Sequence, residues 1–177
     1  MTRNFPTLTA RILPLCLGLA AAPVAAQTGA GSITGTLALD DARWVVASAG
    51  EGPVSGFSQT GAGTEIRIVG TPEPHSPTGQ GTLVLKIEAE AGMTEIDPQQ
   101  VTVSLDHDGD TLVADDENID LTVTAFMAGP SDLAIAGSFT AYMTENPRDG
   151  LIVDADTGGM RIDGNFQATI PRQDSEG

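Results

Sequence analysis

From residue 31 onward, apolar residues recur at every second position in one segment after another, and this period dominates the chain. A period of two places alternate side chains on opposite faces of a strand. Ile33, Gly35, Leu37 and Leu39 share one face, with Thr34 and Thr36 on the other. Leu83, Leu85, Ile87 and Ala89 alternate with Val84, Lys86, Glu88 and Glu90. Val101, Val103 and Leu105 continue the pattern, followed by Ile119, Leu121, Val123 and Ala125. The longest face runs from Leu133 through Ile135, Gly137, Phe139 and Ala141 to Met143, and a last one from Met160 to Ile170. Arg43 to Ala49 and Glu65 to Val69 are weaker candidates, and no stretch shows a helical period. One apolar and one polar face is the mark of antiparallel sheets with a wetted outer side. The expected fold is therefore all-β, a single antiparallel β-sandwich of about eight to ten strands.

Turn chemistry fits that expectation. Asp40-Asp41, Asp108-Gly109, Gly129-Pro130, Asp149-Gly150 and Thr157-Gly158-Gly159 each separate two patterned runs. Gly70 to Gly81, with Pro72, Pro74 and Pro77, reads as a surface loop inside one domain. The end, Arg172 to Gly177, is polar and expected to fray. Ile135-Ala-Gly-Ser-Phe-Thr-Ala141 and Ile162-Asp-Gly-Asn-Phe-Gln-Ala168 repeat the pattern I-x-G-x-F-x-A. A glycine on a core face is expected to make room for a bulky residue from the facing sheet.

The first residues carry an address. Arg3 and Arg11 precede an apolar run from Ile12 to Val24, and Val24-Ala25-Ala26 offers small residues before Gln27. That is the three-part pattern of a secretory signal spanning residues 1–26. The run is too short and too rich in Ala, Gly and Pro to be a spanning helix, so no membrane span is expected after cleavage. Cys16 follows Leu15 and is followed by more apolar sequence, which does not match a lipidation site. The remaining domain, 27–177, has no cysteine, and 24 acidic residues against six basic ones give it a net charge of −18. Nothing in it supplies the clustered cations that nucleic acids or anionic lipids require. Its stability rests on an apolar core, which about 150 residues can build. A periplasmic or secreted location follows, with an envelope or extracellular partner.

The signal, the opening Gly31-Ser-Ile-Thr-Gly-Thr-Leu37, the lone Trp44, and the Gly137-Ser-Phe-Thr-Ala141 and Gly164-Asn-Phe-Gln-Ala168 segments resemble small exported bacterial β-sandwich proteins of uncharacterised function. The resemblance implies an exported sandwich and brings no catalytic residues with it. A small outer-membrane barrel is a competing architecture of similar length. Such barrels need aromatic girdles, whereas aromatic residues are only 4% of this chain.

Catalytic motifs are near-misses. His75 and His107 cannot make a multi-histidine metal site. His75 sits in the proline-rich loop, and His107 follows Leu105 by alternation at the end of a core face. Gly56-Phe-Ser58-Gln-Thr-Gly61 lacks the spacing and the strand-to-helix context of a nucleophile elbow. Asp156-Thr157-Gly158 resembles an aspartic-protease motif without the paired carboxylate that chemistry needs. Asp-Thr-Gly-Gly between strands reads better as a hairpin turn.

The strongest lead is acidic. Between Ile87 and Pro147 there is no Lys or Arg but thirteen acids, seven of them between positions 106 and 120. Within that stretch, Asp106, Asp108, Asp110 and Glu117 occupy positions one, three, five and twelve of a loop that resembles an EF-hand-type calcium loop. Leu112 would supply the backbone carbonyl at position seven. Thr111 stands where that loop needs glycine, and Ala114 has no side-chain ligand. The competing reading makes Asp108-Gly109 a two-residue hairpin turn that pairs Leu105 with Leu112. The function expected from the sequence is a non-enzymatic exported binding or structural module, with calcium as its one candidate cofactor. A hydrolase or lyase using paired carboxylates from the 106–120 or 154–163 segments is the alternative.

Overall fold

A computed structural model describes residues 30–48, 53–60, 63–74, 80–145, 153 and 158–173. The signal segment, His75, Asp156 and Thr157 lie outside them. Ten strands follow in order: β1 (Gly31–Leu37), β2 (Asp40–Val46), β3 (Gly56–Thr60), β4 (Gly63–Pro72), β5 (Gln80–Ala91), β6 (Ile96–His107), β7 (Asp110–Ala114), β8 (Ile119–Ala128), β9 (Asp132–Met143) and β10 (Met160–Pro171). All ladders between them are antiparallel.

The strands hydrogen-bond in the order β7-β6-β5-β4-β2-β1-β10-β9-β8, with β3 added to β4. The expected all-β antiparallel class is therefore present, but the strands form one continuous, strongly curled sheet instead of two separately bonded ones. The link between its two halves is narrow: β2 and β4 pair only from Trp44–Pro72 to Val46–Gly70. Curling brings the ends of the sheet together. Val113 of β7 donates to Thr144 O at 2.8 Å and accepts from Thr144 N at 3.0 Å. Farther along the same seam, Ala128 N donates to Met93 O at 2.8 Å.

The alternation fills the concave side. Ile33, Trp44, Ile66, Ile68, Leu83, Leu85, Ile87, Val103, Leu105, Leu133, Ile162 and Ile170 are fully buried in one cluster. The outer face carries Glu65, Arg67, Lys86 and Glu88, with Lys86 Nζ 2.8 Å from Glu88 and 3.5 Å from Glu65. This polarity is the reverse of a transmembrane barrel, whose apolar band faces outward. Among the described residues, no helix is long and apolar enough to cross a membrane.

Five expectations need correction. The loop read over Gly70 to Gly81 is shorter, because β4 continues to Pro72, with Gly70 buried and paired to Val46 and Leu83, and β5 begins at Gln80. Leu39 is not on the core face: the β1–β2 turn is Ala38-Leu39, closed by the Leu37–Asp40 pair, and Asp40-Asp41 already belongs to β2. Ala125 is exposed, because a bulge between Val123 and Ala125 shifts the pattern and turns Phe126 inward. The repeated glycines make room for a neighbour in the same sheet. Gly164 pairs with Phe139 and Gly137 with Phe166, and a Cβ on either glycine would lie within 2.8 Å of that ring. The two rings pack tilted, with centroids 6.4 Å apart. Finally, the chain end is pinned as far as Gln173. Arg172 N donates to Ser131 O and Gln173 N to Phe57 O, and the Arg172 guanidinium lies over the Phe57 ring.

Candidate functional site

The acidic segment folds as a hairpin. Asp108 and Gly109 have φ of 52° and 98°, the positive pair of a type I′ turn, and Leu105 pairs with Leu112. Thr111 lies in the strand, opposite Asp106, whose carboxylate accepts its hydroxyl at 3.0 Å. Asp108 is at the exposed tip, 3.5 Å from His107 Nε2, and Asp110 begins β7. Val113 turns both its backbone groups toward Thr144. By the alternation of an antiparallel ladder, Leu112 turns its own toward β6, so its carbonyl is engaged there. Glu117 lies beyond β7 in a short 3-10 turn. The calcium set Asp106, Asp108, Asp110, Leu112 and Glu117 is thus spread along a hairpin and its exit. Among the described residues, no group of three or more His, Cys, Asp or Glu could hold a metal ion.

Other acids of this segment bind the protein's own backbone and amides. Asp116 Oδ1 accepts from Val101 N at 2.9 Å, capping the part of β6 that β7 leaves unpaired. Asp115 Oδ1 accepts from Asn118 Nδ2 at 2.7 Å, and Asn118 Oδ1 accepts from Val153 N at 2.7 Å. These bonds tie the turn between β7 and β8 to the seam of the curled sheet.

Two concavities flank the β1–β2 turn, and a further one of about 270 Å³ lies over β3 to β6, lined by Ser58, Thr64, Glu65, Glu88, Glu90 and Gln99 among others. The largest, about 770 Å³ and beside the turn, is lined by Thr36, Ala38, Leu39, Tyr142, Gly158, Gly159, Met160, Arg161 and Asp163. Its floor is the outer face of three adjacent strands. Thr36 of β1 pairs with Asp163 of β10, Asp163 with Thr140 of β9, and Arg161 with Tyr142. Alternation sends all of these side chains outward, because Leu37, Ile162, Ala141 and Met143 point into the core. Asp163 Oδ1 accepts from Thr140 Oγ1 at 2.7 Å and from Arg161 Nη2 at 2.8 Å. The guanidinium sits 5.7 Å from the centroid of Tyr142. Hydrogen bonding from Arg161, reinforced by Thr140, holds the Asp163 carboxyl below its usual range, and the same bond raises Arg161. Both therefore stay ionised at neutral pH.

The wall of this cavity is strained. Ala38 and Leu39 have φ of 49° and 81°, a conformation that Asn and Gly adopt far more readily. Leu39 nonetheless holds a large apolar side chain 93% exposed at the rim. On the other side of Ala38 and Met160 lies a smaller cavity of about 250 Å³, lined by Leu37, Asp40, Gln80, His107 and Asp108 as well. Gln80 Oε1 and His107 Nδ1 are buried with no hydrogen-bond partner among the described residues.

Sequence reasoning placed His107 at the end of the β6 face, where it is half-buried, and included Asp163 in the 154–163 segment offered for paired carboxylates, but it did not single out Tyr142 or Arg161 and put Leu39 on the core face. The available signal was Arg161-x-Asp163 on the polar face of a clean alternation. Their partner Tyr142 depends on the β9–β10 register, which no local pattern specifies. No family model, curated protein or solved structure matches this chain.

Proposed function

We propose that the chain is an exported, non-enzymatic binding module of the periplasm or extracellular space, and that its ligand occupies the cavity beside Leu39. The observation that carries this reading is the combination of an open 770 Å³ cavity with a prepaid polar pair on its floor. Ligand sites are concave, mostly apolar and furnished with a few oriented polar groups. Backbone strain that serves no packing purpose tends to collect at such sites. The signal pattern at residues 1–26 supports export, as does the resemblance to small exported β-sandwich proteins. In this reading the two halves of the curled sheet act as the layers of a sandwich, joined at the short β2–β4 ladder.

Two measurements test it. Mass spectrometry of the native protein should find Gln27 at the N-terminus in the periplasm or medium; an intact Met1 start in the cytoplasm refutes export. A fragment screen by heteronuclear NMR should produce shifts clustered on Leu39, Tyr142, Gly159 and Arg161. Shifts scattered over the surface, or none, would refute the site.

A further inference from the structure

The geometry points to a ligand class for this cavity: a neutral vicinal diol, as presented by a saccharide. The inference rests on the binding-module reading and deepens it. Asp163 uses only Oδ1, for both Thr140 and Arg161; its Oδ2 has no partner among the described residues. Arg161 commits Nη2 to Asp163 and also hydrogen-bonds with Tyr142, and the rest of its five N–H donors remain in the same plane. An acceptor and a donor therefore stand side by side, both ionised and both half-exposed, at 40% for Asp163 and 51% for Arg161. Two adjacent hydroxyls match that pair: one donates to Asp163 Oδ2 while its neighbour accepts from Arg161. Bonds to ionised partners are the stronger kind. Leu39, Met160 and the Tyr142 ring offer apolar surface for the C–H face of the same ring.

Other chemistries fit less well. An anion would meet the Asp163 carboxylate at contact range and a chain of net charge −16 at long range. A cation would meet Arg161. A purely apolar ligand would desolvate the ion pair and return no hydrogen bonds. A peptide strand is normally read by a free sheet edge. Here β1, β10 and β9 each have a partner strand on both sides, so the floor offers side chains only. A neutral ligand with adjacent hydroxyls serves both the carboxylate acceptor and the guanidinium donor.

The test is saturation-transfer and heteronuclear NMR with the methyl glycosides of glucose, galactose, mannose and N-acetylglucosamine and the corresponding disaccharides. A neutral tripeptide, acetate and butylammonium serve as comparison probes. At least one glycoside should move the Leu39, Tyr142, Gly159 and Arg161 resonances at millimolar concentration. Its deoxy analogue lacking one hydroxyl of the diol should bind at least tenfold more weakly. Asp163→Asn and Arg161→Lys should each lose tenfold or more, with melting temperatures and spectra showing intact folds. Leu39→Ser, which leaves the ion pair untouched, should weaken binding less. If glycosides leave these resonances unmoved while another probe shifts them, the diol inference falls and the binding cavity stands. If no probe of any class binds there, both fall. Equal binding by the deoxy analogue, or by both ion-pair variants, also overturns the diol.

Discussion

Replacing Ala38-Leu39 by Asn-Gly should stabilise the fold. The turn is closed by the Leu37–Asp40 pair, and both central residues have positive φ. A side chain in that region brings Cβ against the following carbonyl, at a cost of roughly 1–2 kcal/mol per residue. Asn-Gly is the pair that a type I′ turn favours, for this reason. Glycine returns part of the gain, since it adds about 0.5–1 kcal/mol of unfolded-state entropy. The transfer term is negligible, because Leu39 is 93% exposed and removing it uncovers almost no buried surface. The net expectation is about 1 kcal/mol of added stability, or about 2–4 °C in Tm for a chain of this size. Urea denaturation should show a higher midpoint at unchanged m-value, which separates a native-state effect from a change in the unfolded chain. Leu39→Val, with a β-branched side chain in the same conformation, should move the midpoint the other way. A loss of stability in the Asn-Gly variant would refute the assigned turn. If the variant is more stable but no longer binds ligand, the strained leucine is retained for the cavity, the usual exchange of stability for function.

Three further outcomes follow from the packing and the charges. Phe139→Ala and Phe166→Ala should each cost about 3–5 kcal/mol in chemical denaturation, and losses under about 1 kcal/mol would mean that the glycine-cushioned ring pair is misassigned. Asp163 has its pKa lowered in the folded state, so its stabilising share is complete above the usual carboxylate range and disappears as pH falls through the lowered value. Asp163→Asn should therefore flatten the stability profile below about pH 4 and leave neutral pH comparatively flat; an unchanged acid limb would sink the argument. Calcium at about 1 mM should raise Tm no more than magnesium at matched ionic strength. A calcium-specific shift abolished by Asp108→Asn/Asp110→Asn would restore the metal loop.

The fold was legible where each strand buries one face and exposes the other. The β5, β6, β9 and β10 patterns state both their class and their inward residues, because a slip of one residue would expose the whole core face. Legibility failed at three kinds of place. Leu39 continues the alternation in sequence, yet the chain turns before it can act. Asp40-Asp41 looks like the turn because aspartate favours turns, and the Leu37–Asp40 pair overrides that preference. Thr124 adds one residue to β8, so Ala125 inherits the wrong face and Phe126 the right one. Closure into a single curled sheet was invisible for another reason. It depends on the three-residue β2–β4 ladder and the Val113–Thr144 bridge, contacts between segments far apart in the chain.

The candidate site shows the same limit from the functional side. Acid density drew the sequence reading to residues 106–117, where carboxylate spacing matches a known ligand loop. Here, however, the Asp108-Gly109 turn interrupts that spacing: Asp106 stands opposite Thr111 and Asp110 opposite His107, on the other face, and the acids are separated instead of gathered. Their density has a structural use: Asp115 and Asp116 satisfy groups at a seam where strand pairing stops, and Asp106 holds Thr111 across the ladder. The cavity is assembled the other way, from residues that are scattered in sequence and ordinary in composition. Arg161 and Asp163 come from β10, Tyr142 from β9, Thr36 from β1 and Leu39 from a turn. What unites them is register: three neighbouring strands align an outward Thr–Asp–Thr row beside an Arg–Tyr pair. A one-residue slip of β9 against β10 would bury Tyr142 and take Thr140 from Asp163. The core pattern that forbids such a slip therefore also builds the site.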